Sequence, residues 1–436
     1  MLRGEAAGVN GFADQRKKSW LSLDNSAKIY PAVMSHSWAA VFRVSITLTE
    51  PIVPAILQQA LEDTVARIPS FSLALHKGLF WYYLDANESP PRVEPDVVNP
   101  CKKIDKREND GYCFRVRYYG CRIAVELFHS LADGTGAMIF LKTLAARYLQ
   151  KLGHPIPAGD GVLCCDDPPR PEEMEDSHVK YARFQHIESR REEEAYHPRV
   201  TREPVHTLNI ITGVMPVEQV HARAREMGVT VNEYLAGALC YAFYQRQKAE
   251  QIRHPRPVKI SVPINMRAFY PSETVRNFSL FVNPGIDPRY GDYTFEETVT
   301  HIHHFMRLRL NEKYLNAVLS ANVGNETNKA MRAVPLFLKN FVMGLAYRLY
   351  GESRYSIGFS NLGIMKVPPA MTPFVERFDF LMGPPRFNAH GATAVSYDGK
   401  LVFSLVNVCE ETEIERLFFT ELVRRGIHVT LESNHG

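Results

Sequence analysis

Residues 128–137, FHSLADGTGA, bring together residue types that can do chemistry: His129 and, four positions on, Asp133 followed by Gly134. A histidine titrates near neutrality, so it can take a proton from a hydroxyl or amine and return it within one reaction cycle. Ahead of the motif, CRIAVELFH alternates apolar and polar residues as a strand does. Behind it, Ala137, Phe140, Leu141, Leu144, Tyr148 and Leu149 recur at helical spacing. His129 is therefore expected where a strand hands over to a helix, a rigid seat of the kind proton transfer needs. Each residue also has an ordinary role open to it: Asp133 as a helix cap, Gly134 as the residue of a tight turn, His129 as a strand-end histidine.

The elements that must position this motif follow from the same periodicities. After a tail to about residue 20, a strand is expected in WAAVFRVSITLT, a helix in VPAILQQALEDTVARI, and short strands around FSLALH and GLFWYYLD. YCFRVRYY and CRIAVELF form a hairpin turning at Gly120, and the helix after His129 ends near Leu152. The span 153–204 is rich in proline and then in charge, as a crossover is. Beyond it come a strand in HTLNIITGVM, helices in PVEQVHARAREM and VNEYLAGALCYAFYQRQ, and a strand in PVKISVPI. The last third adds helices over Thr294 to Leu319 and Asn328 to Leu349, strands around Tyr355 to Ser360, Phe378 to Leu381 and Leu401 to Val408, and a final helix ETEIERLFFTELVRR. This order divides the chain into a tail (1–20), an α/β domain (21–152), a linker (153–204) and a second α/β domain (205–436). It shows neither barrel alternation nor a short repeat.

Composition excludes several classes. With 45% hydrophobic and 23% charged residues the chain is an ordinary folded protein, and a net charge of +3 without a basic aromatic stripe argues against nucleic acid as partner. Seven cysteines without metal-ligand spacing suggest a reduced, cytoplasmic chain. The first twenty residues lack a signal-peptide core, and no apolar run is long enough to span a membrane. The most apolar late segment, PLFLKNFVMGLAYRLY, reads as a helix buried against protein, with lipid contact as the alternative. Glu297, His301 and His304 fall on one helical face, but an exposed amphipathic face accounts for them as well as a metal does, and no metal is expected.

Taken together, the motifs resemble the CoA-dependent acyltransferases of the chloramphenicol acetyltransferase fold, a superfamily that includes condensation domains of peptide synthetases. His129-Ser130-Leu131-Ala132-Asp133-Gly134 matches its hallmark; VPINMRAFYPSETVRNFSLFV matches a second segment, mapping an arginine to Arg267 and an asparagine to Asn277. IGFSNLG, with Ser360 and Asn361, and GVTVNEYLAGAL are further matches, and LDNSAKIYPAV is similar to bacterial proteins called alcohol acetyltransferases. Condensation domains usually carry a second histidine where this chain has Phe128, so it looks more like the free-standing acyltransferases.

The resemblance implies two chloramphenicol acetyltransferase-like domains of mixed sheets, with the active-site tunnel at their interface, in a monomer. It implies acyl-CoA as co-substrate with no bound cofactor, and an alcohol or amine as acceptor. His129 would be the general base, and no covalent acyl-enzyme would form. Asp133 would pair with Arg267 to anchor the catalytic loop, and Asn277, Ser360, Asn361 or backbone N–H groups near Gly134 would contact the substrate or its oxyanion. Two other readings stay open: a stand-alone condensation-type enzyme fed by an acyl carrier protein, and a non-catalytic binding protein on the same scaffold.

Overall fold

A computed structural model describes residues 20–35, 38–183, 192–327 and 333–434. Within them the chain forms two packed cores, each built of sheet and helices. In the first, the strand Val41–Leu48 lies antiparallel to Arg122–Phe128, which continues into the antiparallel Phe114–Tyr119. Gly120, at φ 54°, makes the tight turn between the last two. The outer partner of Val41–Leu48 is Val375–Met382, a strand contributed by the far end of the chain. The helices Pro54–Arg67 and Gly134–Lys151 pack against each other beside this sheet, filling the core with Leu57, Leu61, Phe140, Leu141 and Leu144. Arg122–Phe128 is buried on both faces except at its first residue, so the polar position Glu126 is satisfied inside. It accepts from Arg115 Nε at 2.5 Å, Arg43 Nη1 at 3.2 Å and the Cys101 N–H at 3.0 Å.

The second core rests on a larger sheet in the order Ser279–Val282, Val258–Asn265, Ile357–Ile364, His390–Tyr397, Lys400–Asn407, Asn209–Pro216, Thr430–Ser433. Ile357–Ile364 runs parallel to both of its neighbours, whereas the other pairings are antiparallel, which makes the sheet mixed. The helix Val231–Ala249 starts with a reciprocal cap between Thr230 and Glu233, and it packs against Phe295–Arg309 and Glu413–Arg424.

Three expectations are corrected. The helix foreseen from Thr294 to Leu319 is two, because Leu310 leaves helical geometry and Asn311 caps the second, Glu312–Thr327, through Tyr314 N–H at 3.0 Å. His390–Tyr397 is a strand where no element was expected. Helix Leu336–Tyr350 is not wrapped in protein: Phe337, Phe341 and Val342 face outward. Part of the helix expected from Asn328 lies outside the described residues, as do residues 1–19 of the tail.

Candidate active site

The strand Arg122–Phe128 ends one residue before His129, whose backbone N–H is held by Ala40 O at 2.8 Å. Four residues later Asp133 caps the helix Gly134–Lys151, its Oδ1 accepting from Gly136 N–H at 3.0 Å. The other oxygen faces the second half of the chain. Oδ2 accepts from Arg267 Nη1 at 2.7 Å and from Phe278 N–H at 2.8 Å. Arg267 spends its remaining donors on the loop that carries Asn277, giving hydrogen bonds to Thr274 O at 2.8 Å and Arg276 O at 2.6 Å. The turn below His129 and the loop of residues 265–278 are thus tied by one buried pair. Burial would raise the Asp133 carboxyl, but Arg267 and two backbone donors outweigh it and hold the group below the usual carboxylate range.

The same junction requires a glycine at 136. A Cβ there would stand 1.9 Å from Val275 O, a backbone atom with nowhere to go, whereas at Gly134 it would meet only the tip of Leu362 at 2.6 Å. Gly134 opens the helix without a left-handed turn, so the turn role considered for it from sequence is corrected to one of close packing. Gly136→Ala is expected to destabilise the protein by about 3 kcal/mol, the upper end for overpacking, read as a lower urea midpoint at unchanged slope.

Asn277 reaches back to the histidine. Its Oδ1 lies 3.1 Å from His129 Nδ1, and its Nδ2 donates to Asp24 Oδ2 at 3.2 Å. Asp24 also accepts from Ala27 N–H at 2.8 Å and stands 3.9 Å from Arg276, so its oxygens act as acceptors. Burial, with Asp176 adding to it, holds the Asp24 carboxyl above its ordinary value although Arg276, His178 and the Asn277 amide pull the other way. With the amide nitrogen of Asn277 turned to Asp24, its oxygen faces His129, and this contact is a hydrogen bond in the tautomer that carries the proton on Nδ1. In that tautomer Nε2 is left with its lone pair. Burial lowers the His129 pKa from its ordinary 6.5, against an upward pull from its own backbone, Asp133 and Asn277, so the ring is neutral at pH 7.

Aromatic rings fix the imidazole plane. Tyr30, on the helix Ile29–Val33, stacks on it at 4.5 Å and 16°, and Phe42 meets it at 5.0 Å and 58°. His129, Tyr30 and Tyr355 are each half-buried. Ser360 and Asn361 occupy the strand Ile357–Ile364 beside Thr393 and Ala394, and Asn361 Oδ1 accepts from Gly363 N–H at 2.8 Å in a local turn. The structure therefore gathers His129, Asp133, Arg267 and Asn277 into one network. Asp24, Tyr30, Phe42 and Gly136 join it without having been singled out as site residues from the sequence.

Of the metal alternative, Glu297 is engaged with the Thr294 N–H at 2.7 Å as a helix cap and His301 packs edge-on to Tyr293 at 5.3 Å. Among the described residues no three His, Cys, Asp or Glu side chains gather as a metal site. Nor is any helix there long and apolar enough to cross a membrane.

Neither protein-family models nor curated protein sequences match this chain. Solved structures do. Polyketide synthase associated protein 5 from Mycobacterium tuberculosis is similar over 92% of this chain and 96% of its own, at 15% identity and a TM-score of 0.57. TRI101 of F. sporotrichioides, solved with coenzyme A and T-2, is similar over 94% and 99%, at 12% identity and a TM-score of 0.59. The wax ester synthase/diacylglycerol acyltransferase of Marinobacter aquaeolei VT8 is similar over 93% and 100%, at 13% identity and a TM-score of 0.54. At these identities the likeness concerns architecture alone: the chain has the two-domain, mixed-sheet chloramphenicol acetyltransferase-like fold of these structures.

Proposed function

We propose that this protein transfers an acyl group from acyl-CoA to an alcohol or amine, with His129 as general base. The observation that carries the reading is a half-buried neutral imidazole, its Nδ1 against Asn277 and its Nε2 without a hydrogen-bond partner among the described residues. In the reaction Nε2 takes the acceptor's O–H or N–H proton as that oxygen or nitrogen bonds to the thioester carbonyl carbon. The tetrahedral adduct then breaks its C–S bond, and the departing thiolate takes the proton from Nε2. An ester or amide and a free thiol result, the histidine is restored, and no acyl group is attached to the protein.

Asp133 and Arg267 act as positioning residues, because the geometry spends both on backbone and on each other. Asn277 positions the ring through Nδ1. For the oxyanion, Ser360, Asn361 and backbone N–H groups near Gly134 remain our candidates, although the Asn361 oxygen is already used within its own turn. The domain division at residues 152 and 204, a monomeric state and a cytoplasmic location are part of the same proposal.

The test is release of free thiol from acyl-CoA of several chain lengths in the presence of pooled alcohols and amines, beside the same acyl groups on a carrier protein. Faster release from acyl-CoA is expected. Release only from the carrier protein would favour the condensation-type alternative, and release from neither would favour a binding protein.

The reading also fixes a pH dependence. Since His129 acts as a base and its pKa lies below 6.5, kcat/KM should stay level from pH 8 down to 7 and fall only as the pH drops through that lowered value. A profile rising with pH through 8 would place the proton acceptor elsewhere.

A further inference from the structure

The helix Leu336–Tyr350 is turned inside out. Phe337, Leu338, Phe341, Val342, Leu345 and Leu349 point outward, with Phe337 66% and Phe341 72% exposed, while Lys339, 3% exposed, points inward. The inward polar groups are anchored there. Lys339 Nζ donates to Phe80 O at 3.0 Å and lies 3.4 Å from the Trp81 ring centroid, and Asn340 Nδ2 donates to Tyr82 Oη at 2.9 Å. A helix at a water surface turns its apolar stripe inward. One whose polar side chains hold that stripe outward is built to meet something other than water.

The anchoring loop extends the same surface. Leu79 is 74% and Phe80 41% exposed, and Leu336 N–H bonds to Leu79 O at 2.9 Å. Trp20, 54% exposed, meets Tyr83 of the neighbouring strand edge-on at 6.5 Å. Charge narrows the choice of occupant. Residues 336–350 contain no Asp or Glu, and exposed Lys77 and Arg348 flank the apolar stripe. Aromatic and aliphatic groups rimmed by cations suit a surface of anionic headgroups over acyl chains. A second copy of this chain would instead set one basic rim against another. The helix has 15 residues, a length of about 22 Å that falls short of a hydrocarbon core of about 30 Å, so it can lie in the interface but not span it.

We propose that this face docks the protein onto the surface of an anionic lipid bilayer. The helix packs on Ile29–Val33, whose Tyr30 stacks on His129, so docking would bring the membrane to the roof of the candidate site. Docking itself requires nothing of the chemistry at His129 and is measured without it.

The experiment is sedimentation of the full chain with vesicles of phosphatidylcholine alone and of phosphatidylcholine mixed with phosphatidylglycerol. The wild type should sediment with the anionic vesicles. Phe337→Asp with Phe341→Asp should weaken binding by about tenfold or more. Lys77→Glu with Arg348→Glu should remove the preference for phosphatidylglycerol, and both double variants should melt like the wild type. The proposal is overturned if the wild type sediments with neither vesicle, if it binds both compositions equally, or if well-folded variants sediment unchanged. It is also overturned if the free protein is a dimer that Phe337→Asp with Phe341→Asp dissociates, since the occupant is then a second copy.

Discussion

Asp133→Ala is expected to cost about 3–5 kcal/mol of stability, the range for removing one partner of a buried ion pair. The loss arises from what is left behind. Arg267 is left in a largely buried site with only carbonyl oxygens and the Asn265 side chain to face, Phe278 N–H loses its acceptor, and the helix Gly134–Lys151 loses its cap. Asp133→Asn should be nearly as damaging, because an amide offers one acceptor where the carboxylate uses both oxygens. Chemical denaturation at pH 7 measures the difference. The sign with pH is set by the lowered carboxyl: its contribution is fully present above the ordinary value of 3.8 and is lost as the pH falls through the folded-state value below it. Wild type and variant should therefore converge in stability only in strong acid.

His129→Ala is expected to lower kcat by about a hundred- to ten-thousand-fold, the worth of a positioned general base, while the melting temperature changes little. The fold tolerates the loss because the ring is only half-buried and its backbone N–H, not its side chain, continues the strand pairing to Ala40. Asp133→Ala and His129→Ala thus separate the two halves of the motif. One should unfold the junction, and the other should leave it standing and silent.

Much of this arrangement was legible from residue order. The motif at 128–134, the segment from Val262 to Val282 and the strand from Ile357 each fall in elements of the expected kind, and the solved structures share the fold that their resemblance implied. What escaped has physical causes. His390–Tyr397 is buried at all eight positions, so it lacks the alternation that marks a half-exposed strand. The helix Leu336–Tyr350 was misread because apolar content tells how much surface a helix offers and not which side the protein covers. Asp24 lies 253 residues from Asn277, and Asn277 lies 148 from His129; no local period links positions joined only by folding. Asp24 is also engaged locally, its Oδ1 accepting from Ala27 N–H. Gly136 gave no sign, since the backbone of Val275 that forbids a side chain there approaches from the other half.

Direct transfer over His129 is tested most directly by mixing the protein with acyl-CoA, with and without acceptor, and following free thiol together with the mass of the intact protein. Thiol is expected only when acceptor is present, with the protein mass unchanged throughout, and His129→Ala should release it at least about a hundredfold more slowly. A burst of thiol without acceptor, accompanied by a gain of one acyl mass on the protein, or a His129→Ala variant that keeps the wild-type rate, would contradict it.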